Sequence, residues 1–436
     1  MTPEHLEHGR STFETICSDP RVKSFVDRCW FAASAPGRAD FLNTHQDYKG
    51  LPVVPVAISL RTYVLGRPRD DRTITVRALD LEDQHLTSRD FFSIDKIRYK
   101  GSKWFGDYFR AVASVVGQSV GHAKLRGMDL LVSSQIPIGS GLASSAAIEV
   151  AFLTLLNHHL DLGFDPLRIA ELAFQAEREE LGIPCGPLDQ YGSSLGGIIK
   201  IDSRHPITVE RLPTLPLIFA IIDSGIRHST GEIHPTRQRE IDDALKQILS
   251  RPELPQELRK KLGSKHNNSL WELIDEREIA PHLDILDKKL ADRILFTLRM
   301  QRSTVAALTM IRSASGAFDE LKTILPDVGV QLFQKRSSRA AKLWVLGEIM
   351  NYQHELLRDL YDVSLPALER IRQTALEAGA LGVKISGAGM GGALIALAKS
   401  IDEARKIVDA SIRAGASQGW VSGLEEGARL ERFKPE

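Results

Sequence analysis

The stretch S-S-Q-I-P-I-G-S-G-L-A-S-S-A-A-I-E-V, Ser133 to Val150, decides how the chain is read. Met128 to Val132 before it is a short apolar run that predicts a strand. Ala146 to Leu160 after it is rich in helix formers and predicts a helix that stops near Gly163. The turn between them holds Pro137, Gly139, Ser140, Gly141, Leu142, Ser144 and Ser145. Glycine lets the backbone take positive φ and lets another group approach the main chain. A strand, a glycine-serine turn and a helix start together point unpaired N–H groups and the helix dipole at one place, which suits an anion. The serine hydroxyls add hard oxygen donors of the kind Mg²⁺ prefers. The stretch is therefore read as a phosphate loop. It is not the P-loop pattern, because no Lys-Ser or Lys-Thr follows the second glycine, and Ser144 stands where the dinucleotide fingerprint needs its third glycine.

Bulk properties narrow the class. At 436 residues the chain can bury a large core and should form two domains, expected at 1–212 and 213–436. Lys+Arg and Asp+Glu both number 56, a balance with no electrostatic footprint for nucleic acid or an anionic membrane. The three cysteines, Cys17, Cys29 and Cys185, fit no zinc spacing and point to a reducing compartment. No apolar run approaches a membrane span, and M-T-P-E-H-L-E-H is too charged for a secretory signal. A soluble cytoplasmic protein is the expectation.

Along the chain, residues 1–30 read as a polar helical wrap. Val53 to Leu65 predicts a strand, with Thr73 to Leu79 as its antiparallel neighbour. Trp104 to Gly117 and Asp165 to Leu181 predict helices, and the second leads into a loop forced by Gly182, Pro184, Gly186 and Pro187. Ile198 to Asp202 is a short strand, and Ser203 to Pro213 reads as a connector at the domain boundary. Leu215 to Asp223 suits a buried strand, Arg237 to Leu249 a helix, and Arg251 to Asn268 a charged, exposed stretch. A strand into S-G-A-G-M-G-G, a strand at Ala393 to Ala398 and a helix from Ile401 to Ala414 complete an α+β pattern.

Two further clusters carry chemistry. In A-P-G-R-A-D-F-L-N-T-H-Q-D-Y, Arg38, Asp40, His45 and Asp47 lie in a turn between apolar segments and suit a polyhydroxylated ligand. In A-E-R-E-E-L-G-I-P-C-G-P-L-D-Q-Y, Glu177 and Asp189 stand on either side of the glycine-proline loop; Cys185 reads as a packed cysteine.

These stretches carry a resemblance. P-I-G-S-G-L-A-S-S-A, Pro137 to Ala146, fits P-x-x-x-G-L-x-S-S-A, the second motif of the GHMP small-molecule kinases. The first cluster resembles the galactokinase signature G-R-V-N-L-I-G-E-H-T-D-Y; Gly37, Arg38, His45, Asp47, Tyr48 and Gly50 match. The second resembles A-E-H-x-F-x-G-x-x-C-G-x-M-D-Q-F, and Ile222 to Glu240 resembles the segment that follows, with Arg227, His228, Ser229 and Arg237 matching. His354 to Glu369 is similar to the family's H-x-S-L-R-D-x-Y-E-V-S-C-P-E-L-D, and K-I-S-G-A-G-M-G-G at Lys384 to Gly392 resembles the third GHMP motif. The stretch from Asp292 to Leu346 matches poorly and reads as a helical insertion.

The resemblance implies an α+β, two-domain GHMP kinase fold, with an N-terminal ribosomal-protein-S5-like domain containing a left-handed crossover and a ferredoxin-like C-terminal domain. It implies ATP and Mg²⁺ and a reaction at the anomeric C1 hydroxyl of galactose or a close relative. Asp189 becomes the catalytic carboxylate, kept ionised by Arg38. Thr44, His45, Asp47, Gly186 and His234 fall at the sugar. Pro137, Gly139, Ser140, Gly141, Leu142, Ser144, Ser145, Gly387 and Gly389 fall at the phosphates, and Tyr108 at the adenine side. Ser145 and Glu177 fall at the metal. Three departures from the galactokinase pattern fall at the substrate: Asn43 replaces a glycine, Thr44 a glutamate that contacts the sugar's outer hydroxyls, and His234 a tyrosine. The sugar is accordingly open, with galacturonate or an N-acetylhexosamine as alternatives. A non-catalytic sugar sensor and a GHMP kinase for another alcohol are the other classes that fit.

Overall fold

The computed structural model describes residues 13–26, 31–101, 104–227, 230–312, 324–325 and 339–432. Twelve strands are described: β1 (Phe31–Leu42), β2 (Val54–Pro68), β3 (Thr73–Ala78), β4 (Arg89–Ser93), β5 (Met128–Ser134), β6 (Ile199–Asp202), β7 (Thr208–Arg211), β8 (Ile218–Asp223), β9 (Gly382–Ser386), β10 (Ala393–Ala398), β11 (Gln418–Ser422) and β12 (Arg429–Glu431). They form a six-stranded sheet in the order β12-β1-β2-β5-β3-β4, a four-stranded sheet in the order β11-β8-β10-β9, and the pair β6-β7.

The fold is α+β, as expected, but the pairing of β2 differs from the sequence reading. β3 does not pair with β2. β5 lies between them, antiparallel to β2 over Thr62–Pro68 and parallel to β3 from Ile74 opposite Met128. The reason is burial. Met128, Leu130, Leu131 and Val132 lie on both faces of β5 and all are buried, so this strand belongs in the middle of a covered sheet. Ser203 to Pro213 is likewise not a plain connector: β7 pairs β6 within it.

The helix Ser144–His159 covers the first sheet and is apolar nearly all round, with Ala146, Ala147, Val150, Ala151, Phe152 and Leu153 buried. It lies between β1 and β2 on one side and the helices Gly106–Val120, Pro166–Gln175 and Leu188–Leu195 on the other. Of the expected N-terminal wrap, residues 1–12 and 27–30 lie outside the described residues; Phe13 and Val22 pack against Tyr63 and Leu65 on β2.

In the second half, Arg251 to Asn268 is not a free charged stretch. Leu254, Leu258 and Leu262 repeat at four-residue spacing, and all three are buried with Trp271 in the C-terminal core. Much of the expected insertion is also built in. The helix Lys288–Arg312 buries Ile294, Phe296, Leu298 and Met300, while residues 313–323 and 326–338 lie outside the described set.

The chain's last strand returns to the first sheet, where β12 pairs β1. Arg61 fixes this return. It is 1 % exposed and donates to the Ser34 hydroxyl and to the carbonyls of Ser34, Glu426 and Gly427. Truncation removes a charged donor from buried acceptors. Arg61→Ala is expected to lower stability in urea unfolding by roughly 2–4 kcal/mol. The exposed pair member Arg405, changed to alanine, should cost less than about 0.5 kcal/mol. Equal effects would contradict the role given to Arg61.

Candidate active site

Three glycine-bearing or polar loops meet beside β1. The phosphate loop is stitched in place by its own backbone. Ser140 donates from its hydroxyl to the Pro137 carbonyl at 2.7 Å, and its own carbonyl accepts from Ala393 N–H at 2.8 Å. The Leu142 carbonyl accepts from Arg38 N–H at 3.2 Å. Ala143 takes φ 64° immediately before the helix Ser144–His159, so the chain turns sharply and presents that helix's first N–H groups. The third-motif loop presses on it from the second half of the chain. A Cβ at Gly387 would lie 2.9 Å from the Gly141 Cα, and one at Gly389 would lie 2.4 Å from the Val363 carbonyl. Glycine is required there by contact as well as by conformation. Arg227 reaches the same loop, packing its side chain near Gly139 while its guanidinium is held by Asp223 at 2.6 Å.

Arg38 ties this loop to the helix Leu188–Leu195. Its Nε and Nη2 both donate to Asp189 Oδ1, at 2.9 and 2.6 Å, and its Nη1 donates to the Gly141 carbonyl at 2.5 Å. Nη1 also lies 3.2 Å from Asp40 Oδ1. Arg38 and Asp40 alternate onto the same face of β1, which puts both beside Asp189. The Asp189 side chain retains 27 % of its exposure. Burial nevertheless pushes its carboxyl up from the usual aspartate range, with Asp40 adding to the rise and Arg38 opposing it. Arg38, expected to keep Asp189 ionised, acts in that direction, but desolvation is the larger effect.

The sugar-loop expectation divides. Asp47 is seated against Gly186: a Cβ there would lie 2.0 Å from Asp47 Oδ2. Burial first, and then the Asp189 and Asp40 charges, push the Asp47 carboxyl up to about 7. His45 spends both ring nitrogens inside the protein. Nε2 is 3.1 Å from the Ala388 carbonyl, which only accepts, so Nε2 carries the proton; Nδ1 then accepts from the Tyr48 hydroxyl at 3.2 Å. Burial holds this imidazole well below its ordinary pKa, so it is neutral. Tyr48 continues to the Tyr361 hydroxyl at 2.7 Å. Tyr361 stacks on Phe296, and the buried Lys49 ammonium lies 4.7 Å from each of those rings.

Asn43 and Thr44 face inward. Asn43 is buried with φ 66°, and its amide donates to the Pro52 carbonyl and to Gln301. This explains an asparagine where the signature has glycine, since asparagine is among the few other residues that tolerate the left-handed region. Thr44 Oγ1 accepts from Lys384 Nζ at 2.7 Å, and the same ammonium donates to the Asp40 carbonyl at 2.7 Å. Lys384 is fully buried, and desolvation pushes it down to about 8. His234, on the helix Thr230–Leu249, packs edge-on to His45 at 5.0 Å, and desolvation pushes it down to about 4. His228 and Ser229 lie outside the described residues.

At the other end of the loop Glu177 sits in a π-helical turn, Ala176–Glu180, where its carboxylate accepts from the Gln190 amide and lies close enough to Ser145 to be influenced by that hydroxyl. Burial, with the Asp189 charge, pushes it up to about 7. Glu149 lies in the same cluster, fully buried, sharing the Gln190 amide at 3.2 Å and leaving Oε1 without a hydrogen bond. This hard-oxygen set, a buried carboxylate against a serine hydroxyl beside the phosphate loop, fits Mg²⁺, which takes one or two carboxylates and leaves its other positions to phosphate and water. Tyr108, expected at the adenine side, lies on the helix Gly106–Val120, where burial and the Glu177 and Glu149 charges raise its hydroxyl above the usual tyrosine range. Sequence reasoning missed Glu149, Gln190, Lys384 and the Tyr48–Tyr361 bond. Gln190 and Lys384 were visible as polar residues inside matched motifs.

Residues 22–68 match the galactokinase galactose-binding signature, 107–197 the GHMP kinases N terminal domain, and 344–423 the GHMP kinases C terminal domain. The chain is 32% identical to a galactokinase of Roseiflexus sp. (strain RS-1), over 83% of this chain and 82% of that one. It is 27% identical to a galactokinase of Pyrococcus furiosus, over 87% and 92%. In structure it resembles Lactococcus lactis galactokinase complexed with galactose, with TM-score 0.72 and 23% identity over 92% of this chain and 94% of that one. A mevalonate kinase shares the fold with TM-score 0.60.

The seat of Asp47 is directly testable. Gly186→Ala is expected to displace the Asp47 carboxylate by about 1 Å or more in a crystal structure, enough to disturb any ligand it orients. An Asp47 that keeps its position would contradict the packing described.

Proposed function

The chain belongs to the galactokinase family of the GHMP kinases, and from that premise we propose how its own residues carry the reaction. The protein is a sugar kinase that transfers phosphate to the anomeric C1 hydroxyl of galactose or a closely related sugar. ATP is the phosphate donor the family implies. In the proposed reading Asp189 takes the proton of the acceptor hydroxyl through the oxygen that Arg38 leaves unbound. Arg38 holds Asp189 in line and spreads charge as the phosphoryl group moves. The N–H groups between Gly139 and Ser145, with Gly387 and Gly389 behind them, hold the phosphates. Asp47, seated by Gly186, accepts hydrogen bonds from sugar hydroxyls, and His234 packs at the sugar face. Ser145 and Glu177 would hold Mg²⁺, which neutralises phosphate charge when bound. The same reading makes the enzyme a cytoplasmic monomer. One observation carries the assignment: a single guanidinium, Arg38, bonds both the candidate base and the phosphate-loop carbonyl of Gly141.

A second reading keeps the mechanism and moves the substrate. Position 44 offers a neutral threonine against the buried Lys384 ammonium instead of a carboxylate, so a sugar with a C6 carboxylate meets no like charge there.

The test is ADP release with Mg-ATP against galactose, N-acetylgalactosamine, galacturonate, glucuronate, arabinose and glucose. Galactose is expected to be turned over, with Asp189→Asn lowering kcat by about a hundredfold or more. Turnover of a uronate alone would establish the second reading, and no turnover of any sugar would overturn both. The pH dependence has a fixed sign. The Asp47 carboxyl titrates at about 7 and Asp189 is also raised, and both work as carboxylates. kcat/KM for the sugar is therefore expected to fall as pH drops through about 7. A profile that is flat down to ordinary carboxylate values would contradict the roles given to both.

A further inference from the structure

The galactokinase signature carries asparagine where this chain has Asp40, and it carries a glutamate where this chain has Thr44. This stretch thus has its carboxylate at a different position, on β1 instead of in the loop that follows. In the structure Asp40 is 5 % exposed, and its Oδ1 makes no hydrogen bond of good geometry while lying 3.2 Å from Arg38 Nη1. Its backbone is fixed at both ends, by N–H donation to Ser386 Oγ at 3.0 Å and by the Lys384 ammonium on its carbonyl at 2.7 Å. Arg38 meets Asp189 in an uncommon way. A guanidinium usually forks across both oxygens of a carboxylate. Here Nε and Nη2 converge on Oδ1 alone, while the third corner, Nη1, is drawn to Gly141 and Asp40.

Resting on the kinase reading above, we infer that Asp40 is a positioning residue for the reaction: its charge holds the Nη1 corner of Arg38, so that Arg38 grips Asp189 by one oxygen and leaves the other for the acceptor hydroxyl. A fork across both oxygens would engage the very atom the acceptor needs. The neighbouring charges are consistent with this. Asp40 is among the groups that raise the Asp189 carboxyl. It also faces Lys384, whose charge it partly offsets.

That last contact supplies the competing explanation, that Asp40 serves only as a counter-charge for a buried lysine. Two variants separate them. Asp40→Asn keeps the shape and removes the charge. Asp40→Asn with Thr44→Glu returns a carboxylate to Lys384, which already touches position 44, but not to Arg38. Both are read at saturating sugar and by crystallography. In Asp40→Asn, kcat is expected to fall about tenfold with KM for sugar and ATP within about twofold, the mark of lost alignment and not of lost binding. Its crystal structure should show Arg38 forked across both Asp189 oxygens. The double variant should fold, since Lys384 is again countered, and remain as slow. Unchanged kcat with the one-oxygen grip intact would overturn the inference, and so would full recovery in the double variant. The crystallographic readout does not depend on which sugar is turned over, so a failure of the galactose reading and a failure of this inference give different results.

Discussion

Arg38 is the contact on which the site depends. A guanidinium that is nearly fully buried survives only if its charge is matched, and here the matching groups lie on different parts of the chain: Asp189 on a helix, Gly141 in the phosphate loop and Asp40 on the same strand. Satisfying one cation therefore brings the candidate base and the phosphate loop to the same place. The second half of the chain enters through the third-motif loop, whose glycines touch Gly141 and whose Lys384 holds the residue-40 backbone. The acidic groups around Arg38 are strained by the same burial. Asp47 and Glu177 are both pushed to about 7. Buried carboxyls shifted in this way beside a phosphate loop are typical of working sites.

The sugar loop shows how departures from a family pattern divide on physical grounds. Asn43 answers a backbone requirement, a left-handed φ of 66°, and its amide is turned toward Gln301. Thr44 and Asp40 answer a charge requirement, because a buried lysine lies against both positions. His45 is held by Ala388 and Tyr48, so its first effect is to lock this loop to the third motif. The helix Lys288–Arg312, most of it in the stretch that matches the family pattern poorly, braces the loop through Thr297 on Lys49 and Gln301 on Asn43.

The legible part of the fold was the local part. The phosphate loop could be read from Pro137 to Ala146 because backbone N–H groups, glycine conformations and a helix start are all set within ten residues. The candidate base and metal ligand followed from one matched loop. Features set across long separations were not legible. β5 intervenes between β2 and β3 because its two faces are both apolar, and alternation alone does not report strand order. Leu254, Leu258 and Leu262 lay hidden among charges that dominate the local composition. Tyr48 and Tyr361 are 313 residues apart in sequence, and no local signal pairs them. Arg38 and Asp189 were brought together in advance only by resemblance, since a carboxylate and an arginine 151 residues apart have no pattern of their own.

The central claim is that the acceptor is the anomeric hydroxyl, presented to Asp189 beside the phosphate loop. Phosphorus NMR of the product formed from galactose and Mg-ATP tests it most directly, because the coupling partner identifies the esterified carbon. The account predicts a new phosphate monoester coupled to the single anomeric proton. A monoester coupled to the two methylene protons at C6 would contradict it, since the hydroxyl at the other end of the sugar would then be the one that meets Asp189.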